Sequence, residues 1–279
     1  MKKKGAWFLG IHADPPRLLR YILAILPFLL LVIIYIIASD IRHKENPYDK
    51  LVPSISNIGK ALQKTAFSKD KRTGDILLVK DTCASLKRLF TGISLAAASG
   101  FILGVNMGMM PGIRGLILPF IVFISNIPAL AILPILFILC GVGETGKIML
   151  IFLGTFPLIA RDVYLAAKQI PTETIVKALT LGASQKGVIY RVAMPILIPK
   201  LIETIRLSLG AGWLFLIASE AIASQSGLGY RIFLVRRYLS MDIIITYVVW
   251  ITLIAFIADF ILKKWVAIRY PWYHEKKEV

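Results

Sequence analysis

Residues 21–39 read YILAILPFLLLVIIYIIAS, a run without a single charge, with Arg20 on one flank and Asp40 on the other. Crossing about 30 Å of hydrocarbon takes about 20 apolar residues in a helix, because only a helix closes its own backbone hydrogen bonds away from water. The run is therefore read as a membrane span. Outward from it, the same reading applies to 89–110, 117–140, 202–222 and 243–262. A sixth run, 148–165, is short at its strictly apolar centre and reaches span length if Lys147 and Arg161 snorkel at its ends. The expected fold class is an all-α membrane protein of about six transmembrane helices, one domain over 1–279, with an external segment at 40–88 and a polar loop at 166–200.

The bulk composition agrees. Apolar residues make up 57% of the chain, against about 45–50% in soluble domains, and the mean hydropathy is +0.74. A soluble enzyme is excluded on that ground. The net charge of +17 sits between apolar runs too long to be exposed in a soluble fold, so the matching anion is a lipid headgroup and not nucleic acid. Cys83 and Cys140 are too few for a disulfide framework or a thiolate metal site, and His12, His43 and His274 lack ligand spacing. Neither a metal nor another cofactor is expected. No nucleophile and base pair, and no paired carboxylates, fall within the runs, so catalysis is not expected either. The basic start, Met1 to Lys4, precedes an apolar patch too short for a cleaved signal, so the chain is expected to keep its first span.

An even number of spans puts both termini on one side. With the termini in the cytoplasm, inner segments hold 18 of the 33 Lys and Arg and outer ones 15, eleven of these between Arg42 and Arg88. That bias is small. In the external segment, Ile55, Ile58, Leu62 and Phe67 are spaced for an amphipathic surface helix, and Trp265, Tyr270, Trp272 and Tyr273 form an interfacial belt after the last run.

Several local patterns carry more. Gly92, Ala96, Gly100 and Gly104 recur every four residues and give one smooth helix face for close packing. Pro119, Pro128 and Pro134 interrupt the third run, together with Ser125 and Asn126. Each proline frees a carbonyl, which a membrane tolerates against neighbouring helices or a wet cavity. The run is either a bent helix lining a pathway, with Asn126 and Pro128 facing it, or an ordinary kinked span. Residues 141–147 match the spacing of a phosphate loop but lack the following Ser or Thr and the preceding strand, so a tight turn between helices is expected. Among charges near the runs, Asp259 is spaced to pair with Lys263 and Glu203 with Arg206. Glu220 either lines a pathway or pairs with an external arginine such as Arg231.

The loop between the fourth and fifth runs is the most organised polar stretch. Pro171 starts a helix through Thr172 to Leu181, Gly182 breaks it, a short helix covers Ser184 to Arg191, and Pro195 and Pro199 redirect the chain into the fifth run. Leu181, Gly182, Ala183 and Ser184, followed by Val192, Ala193, Met194 and Pro195, resemble the cytoplasmic loop signature of binding-protein-dependent ABC importer permeases. That signature has a Glu-Ala-Ala triplet, a glycine and an Ile-x-Leu-Pro group. Ala178 matches the triplet, Val176 and Lys177 depart from it, and Val192 with Met194 replace the Ile and Leu.

The resemblance runs from about Ser85 to Trp265 and is closest to the taurine, alkanesulfonate and nitrate branch. It is carried by Ser85, Arg88 and Gly92, then Asn126, Pro128 and Pro134, then Arg206, Trp213, Glu220 and Gly227 to Tyr230. It implies a permease subunit, itself not an enzyme, paired with a second copy and placed in the bacterial inner membrane with cytoplasmic termini. Two cytoplasmic ATP-binding subunits would grip the loop, and a periplasmic or lipid-anchored binding protein would deliver a small anion such as a sulfonate, taurine, nitrate or bicarbonate. The implied coupling residues are Ala178, Gly182, Ala183, Ser184, Val192 and Pro195, and the implied pathway residues are Asn126, Pro128, Trp213 and Glu220. The rival class is a secondary transporter or channel, which calls for ionisable groups deep in the spans or an internal repeat of halves; neither stands out in this sequence.

Overall fold

A computed structural model of the chain describes residues 16–46, 49–69 and 74–275, so His12 and the basic start lie outside it, as does the side chain of His274. The described residues form helices, with one isolated bridge between Lys69 and Ile76. In chain order these are α1 (Arg17–Glu45), α2 (Ile55–Phe67), α3 (Leu77–Met109), α4 (Pro111–Ser125), α5 (Leu133–Cys140), α6 (Glu144–Lys168), α7 (Thr172–Thr180), α8 (Gln185–Gly187), α9 (Met194–Ala223), α10 (Leu228–Arg236), α11 (Met241–Arg269) and α12 (Pro271–Glu275).

Among the described residues, five helices are long and apolar enough to cross a membrane, and a sixth crossing results if the bent α4 and α5 count as one. The two halves of that pair meet at 84°. The break has a local cause. Pro128 and Pro134 remove donors on either side of a 3₁₀ turn at Ala129–Ile132, so no continuous ladder can pass.

α3 and α6 form the central pair, with α9 against both. The small-residue face of α3 makes this possible. A Cβ on Gly92 would stand 2.7 Å from Ile151, and one on Gly104 would stand 2.7 Å from the Ala160 carbonyl, distances no packed side chain tolerates. Ala96 is fully buried in the same seam. α1 stands apart: 6% of its apolar stretch is buried, against 50% for α3. It is fastened to the rest at one level, through Tyr35 and Ser39.

Two sequence expectations change here. Pro195 and Pro199 do not redirect the chain, because helical structure runs unbroken from Gln185 to Ile222. A π-helical stretch, Val188–Ala193, lies just ahead of Pro195. Its wider hydrogen-bond ladder absorbs the missing N–H and the bulk of the proline ring without a kink. Lys147 does not snorkel: it is 3% exposed and its Nζ lies 3.0 Å from Glu144.

Candidate functional site

The knob between α6 and α9 is built from two caps set back to back. α7 ends with Gly182 at φ +86°, where Gly182 N–H donates to the Leu179 carbonyl and Ala183 N–H to the Ala178 carbonyl, each at 3.0 Å. This six-to-one and five-to-two pair is the Schellman closure, which favours glycine at the left-handed position. Ser184 then caps the next helix, its Oγ accepting from Gly187 N–H at 3.1 Å. Four of the loop residues singled out from sequence thus make one rigid corner. Val192 lies in the π stretch, and Pro195 is exposed in the first turn of α9.

The inner side of the knob docks on the bundle through Ile170, Ile189 and Ala193, with Ile175 packed against them. Its other side is apolar and open. Leu181 is 88% exposed, and Val176 and Leu179 are about half exposed beside it. Three aliphatic side chains on a capped corner outside the spans make one exposed apolar patch.

The break between α4 and α5 borders a second feature, a hollow of about 330 Å³ lined by Ser125, Ile127, Pro128, Leu158 and Phe215 among others. Asn126 is exposed at the end of α4 and folds back, its Nδ2 donating to the Val122 carbonyl at 2.9 Å. Pro128 edges the hollow. Trp213 does not: it is 6% exposed in the packed cluster of Leu89, Ile93 and Tyr247, with its Nε1 unpartnered.

Glu220 belongs to a third feature, at the end of the bundle opposite the knob. It is fully buried, accepting from Ser85 Oγ at 2.7 Å, Arg88 Nη1 at 2.6 Å and Gly229 N–H at 2.8 Å. Its arginine is therefore Arg88, not Arg231, which pairs with the buried Asp81 at 2.8 Å. Arg88 also forks onto Glu144, at 2.5 and 2.7 Å. Asp81 takes Tyr247 Oη and the Gly227 N–H, and Leu228 N–H donates to Ser85 Oγ at 2.8 Å. With Lys147 the set holds three acids and three bases, so the desolvated charge is balanced. The network straps the α9–α10 turn onto α3 and α6. Gly227, at φ +130°, lies so close that a Cβ there would sit 2.5 Å from the Glu220 carboxylate.

Sequence reading found Ser85, Arg88, Glu220 and the glycines but missed Asp81, Glu144, Lys147 and Tyr247. Asp81, Ser85 and Arg88 are spaced four and three apart, which is the one local sign that they share a helix face.

At the knob end two further pairings differ from expectation. Asp259 lies 2.8 Å from Arg206 across to α9, a contact of charge without hydrogen-bond alignment, and Glu203 accepts from Tyr273 Oη at 2.7 Å. Tertiary partners on facing helices displaced the pairs that sequence spacing offered.

Together these features define a multi-pass helical membrane protein, its spans tied at one end by buried charges and its other end carrying an exposed, capped apolar corner. Residues 96–267 match the family of binding-protein-dependent transport system inner membrane components, and the chain belongs to that family as a permease subunit. It is similar to the taurine transport system permease protein TauC of Escherichia coli, 33% identical over 201 residues that cover 72% of this chain and 73% of that one. The nitrate import permease protein NrtB of Synechococcus elongatus is 29% identical over 53% of each chain. A chain of the inward-facing MetNI methionine ABC transporter shares the fold at a TM-score of 0.62 and 21% identity, over 69% of this chain and 95% of that one. α1 and α2 precede the residues matched to the family.

Proposed function

We propose that two copies of this chain form the pathway of an ATP-driven importer in a bacterial inner membrane, with both termini in the cytoplasm. Cytoplasmic ATP-binding subunits grip the knob, and a periplasmic or lipid-anchored protein delivers the solute. By analogy with TauC and NrtB, the solute is a small anion of the sulfonate, taurine, nitrate or bicarbonate kind.

The exposed apolar corner of Val176, Leu179 and Leu181, held by the Schellman closure at Gly182, carries this reading. Because helical structure continues from Gln185 to Ile222, a push on the corner is delivered along the whole of α9. The other end of α9 is fixed by Glu220, so the motion emerges as a tilt of packed helices and not as local bending. Asn126 and Pro128, at the break, are the pathway residues of the proposal, with the hollow beside them. Trp213 and Glu220 stand behind the pathway and hold its wall.

The test is a pair of substitutions. A Cβ on Gly182 meets nothing within 4 Å, so the requirement is for a positive φ and not for space. Gly182→Val places a β-branched residue in the left-handed region, at a cost of about 1–2 kcal/mol, whereas asparagine accepts that region. Gly182→Val should abolish ATP-coupled uptake with membrane insertion intact, and Gly182→Asn should retain most of it. Equal uptake by both variants would refute the coupling role.

A further inference from the structure

α2 lies outside the residues matched to the family and has no part in the coupling or pathway proposals. Most of its thirteen residues divide into three sectors around the helix, with Ser56, Gln63 and the exposed Phe67 between the second and third. Ile58, Ala61 and Thr65 face the bundle, with Ala61 and Thr65 buried and Thr246 Oγ1 of α11 within 3.5 Å of the Ile58 carbonyl. A quarter turn round, Ile55 and Leu62 are 54% and 40% exposed, with Gly59 between them. Opposite these, Asn57, Lys60 and Lys64 are exposed. A helix free in water has no use for an open aliphatic stripe beside its docked face, and one sunk in hydrocarbon could not keep two lysines.

The depth of α2 follows from a separate observation. The chain entering it is fastened to α1, with Tyr35 Oη donating to the Pro53 carbonyl at 2.6 Å and Ser39 Oγ lying 3.3 Å from the Val52 carbonyl. Tyr35 and Ser39 are in the last turns of the charge-free run, and Asp40, Arg42, His43, Lys44 and Glu45 follow at once. α2 therefore starts at the level where apolar surface gives way to charge. Its polar flank opens on a hollow of about 360 Å³ bordered by Lys50, Lys60 and Lys64, faced by Asp49 and Asp242. Three ammonium groups against two carboxylates leave that hollow positive.

We propose that α2 is seated in the membrane interface at the end of the bundle opposite the knob, with Ile55 and Leu62 in the acyl layer and Lys50, Lys60 and Lys64 on anionic lipid headgroups. The amphipathic stripe and the depth mark assign the first half, and the charge of the hollow the second.

The test uses the full chain in vesicles, with Cys83→Ser and Cys140→Ser as background and a nitroxide at Leu62→Cys or Gln63→Cys. Collision with oxygen, which partitions into lipid, is compared with collision with a water-soluble nickel chelate. The oxygen-to-nickel ratio should be several-fold higher at 62 than at 63. Replacing part of the phosphatidylcholine with phosphatidylglycerol should slow the label at 63, and Lys60→Glu with Lys64→Glu should remove that response. Equal nickel access at both positions would show a solvated helix and overturn the seating. Exclusion of both reagents from 62 would show a protein cover, such as a second copy, and overturn it too. A label at 63 indifferent to phosphatidylglycerol would overturn the headgroup assignment.

Discussion

Replacing Arg88 with methionine tests whether the far-end network holds the bundle together. Arg88 is 3% exposed and donates to Glu144 twice, to Glu220 and to the Ser226 carbonyl. Glu144 is more than half exposed, so water replaces much of what it loses. Glu220 is fully buried, and Arg88 is its one cationic partner among the described residues. Leaving a buried carboxylate without its cation costs about 3–5 kcal/mol. The converse change is milder: Glu220→Gln leaves Arg88 on Glu144 and Ser226, so the loss is that of hydrogen bonds, about 1–3 kcal/mol. The double variant removes both charges and should be closer to Glu220→Gln than to the sum. Unfolding in bicelles by added dodecyl sulfate, followed by tryptophan fluorescence, measures all three. The expected coupling exceeds about 1.5 kcal/mol, and additivity within about 0.5 kcal/mol would refute the argument that Glu220 depends on Arg88.

Other outcomes follow from the same geometry. Gly104→Ala drives a methyl against Ala160 and Val163 and should cost about 1–3 kcal/mol in the same assay, whereas Gly59→Ala meets nothing and should be neutral or gain up to about 1 kcal/mol. In a Cys83→Ser, Cys140→Ser background, Lys186→Cys should react with a membrane-impermeant maleimide only after cells are opened; reaction in intact cells would invert the topology and remove the importer reading. Burial, with Glu203 beside it, pushes the Tyr273 phenol above its ordinary range. Since the folded form holds that proton more tightly, the docking of α12 should be constant below about pH 10 and weaken above it, and hydrogen exchange of α12 should lose this dependence in Tyr273→Phe.

What could be read from sequence, and what could not, divides along a physical line. Properties set by one helix were legible: the apolar runs, the small face of α3, the glycine corner at 182 and a turn at 141–143, shorter than the 141–147 expected because α6 begins at Glu144, follow from periodicity and backbone preference. Each involves neighbours within a few residues. Properties set between helices were not. Asp259 was spaced for Lys263 and met Arg206, and Glu220 was offered Arg231 and met Arg88, because the partner that wins is the one facing across the bundle. The π stretch before Pro195 belongs to the same class, since Ile189 and Ala193 within it are buried against α3 and α6. The sequence nevertheless placed Ser85, Arg88, Glu220 and Gly227 in one pattern before any contact among them was evident. Their assembly at the end away from the knob would give that pattern a mechanical reason under the proposed coupling. On the proposed coupling, a helix pushed from its Gly182 end transmits force only if its other end is held, and sliding there is resisted because it parts Glu220, fully buried, from Arg88 and leaves a desolvated charge without its partner.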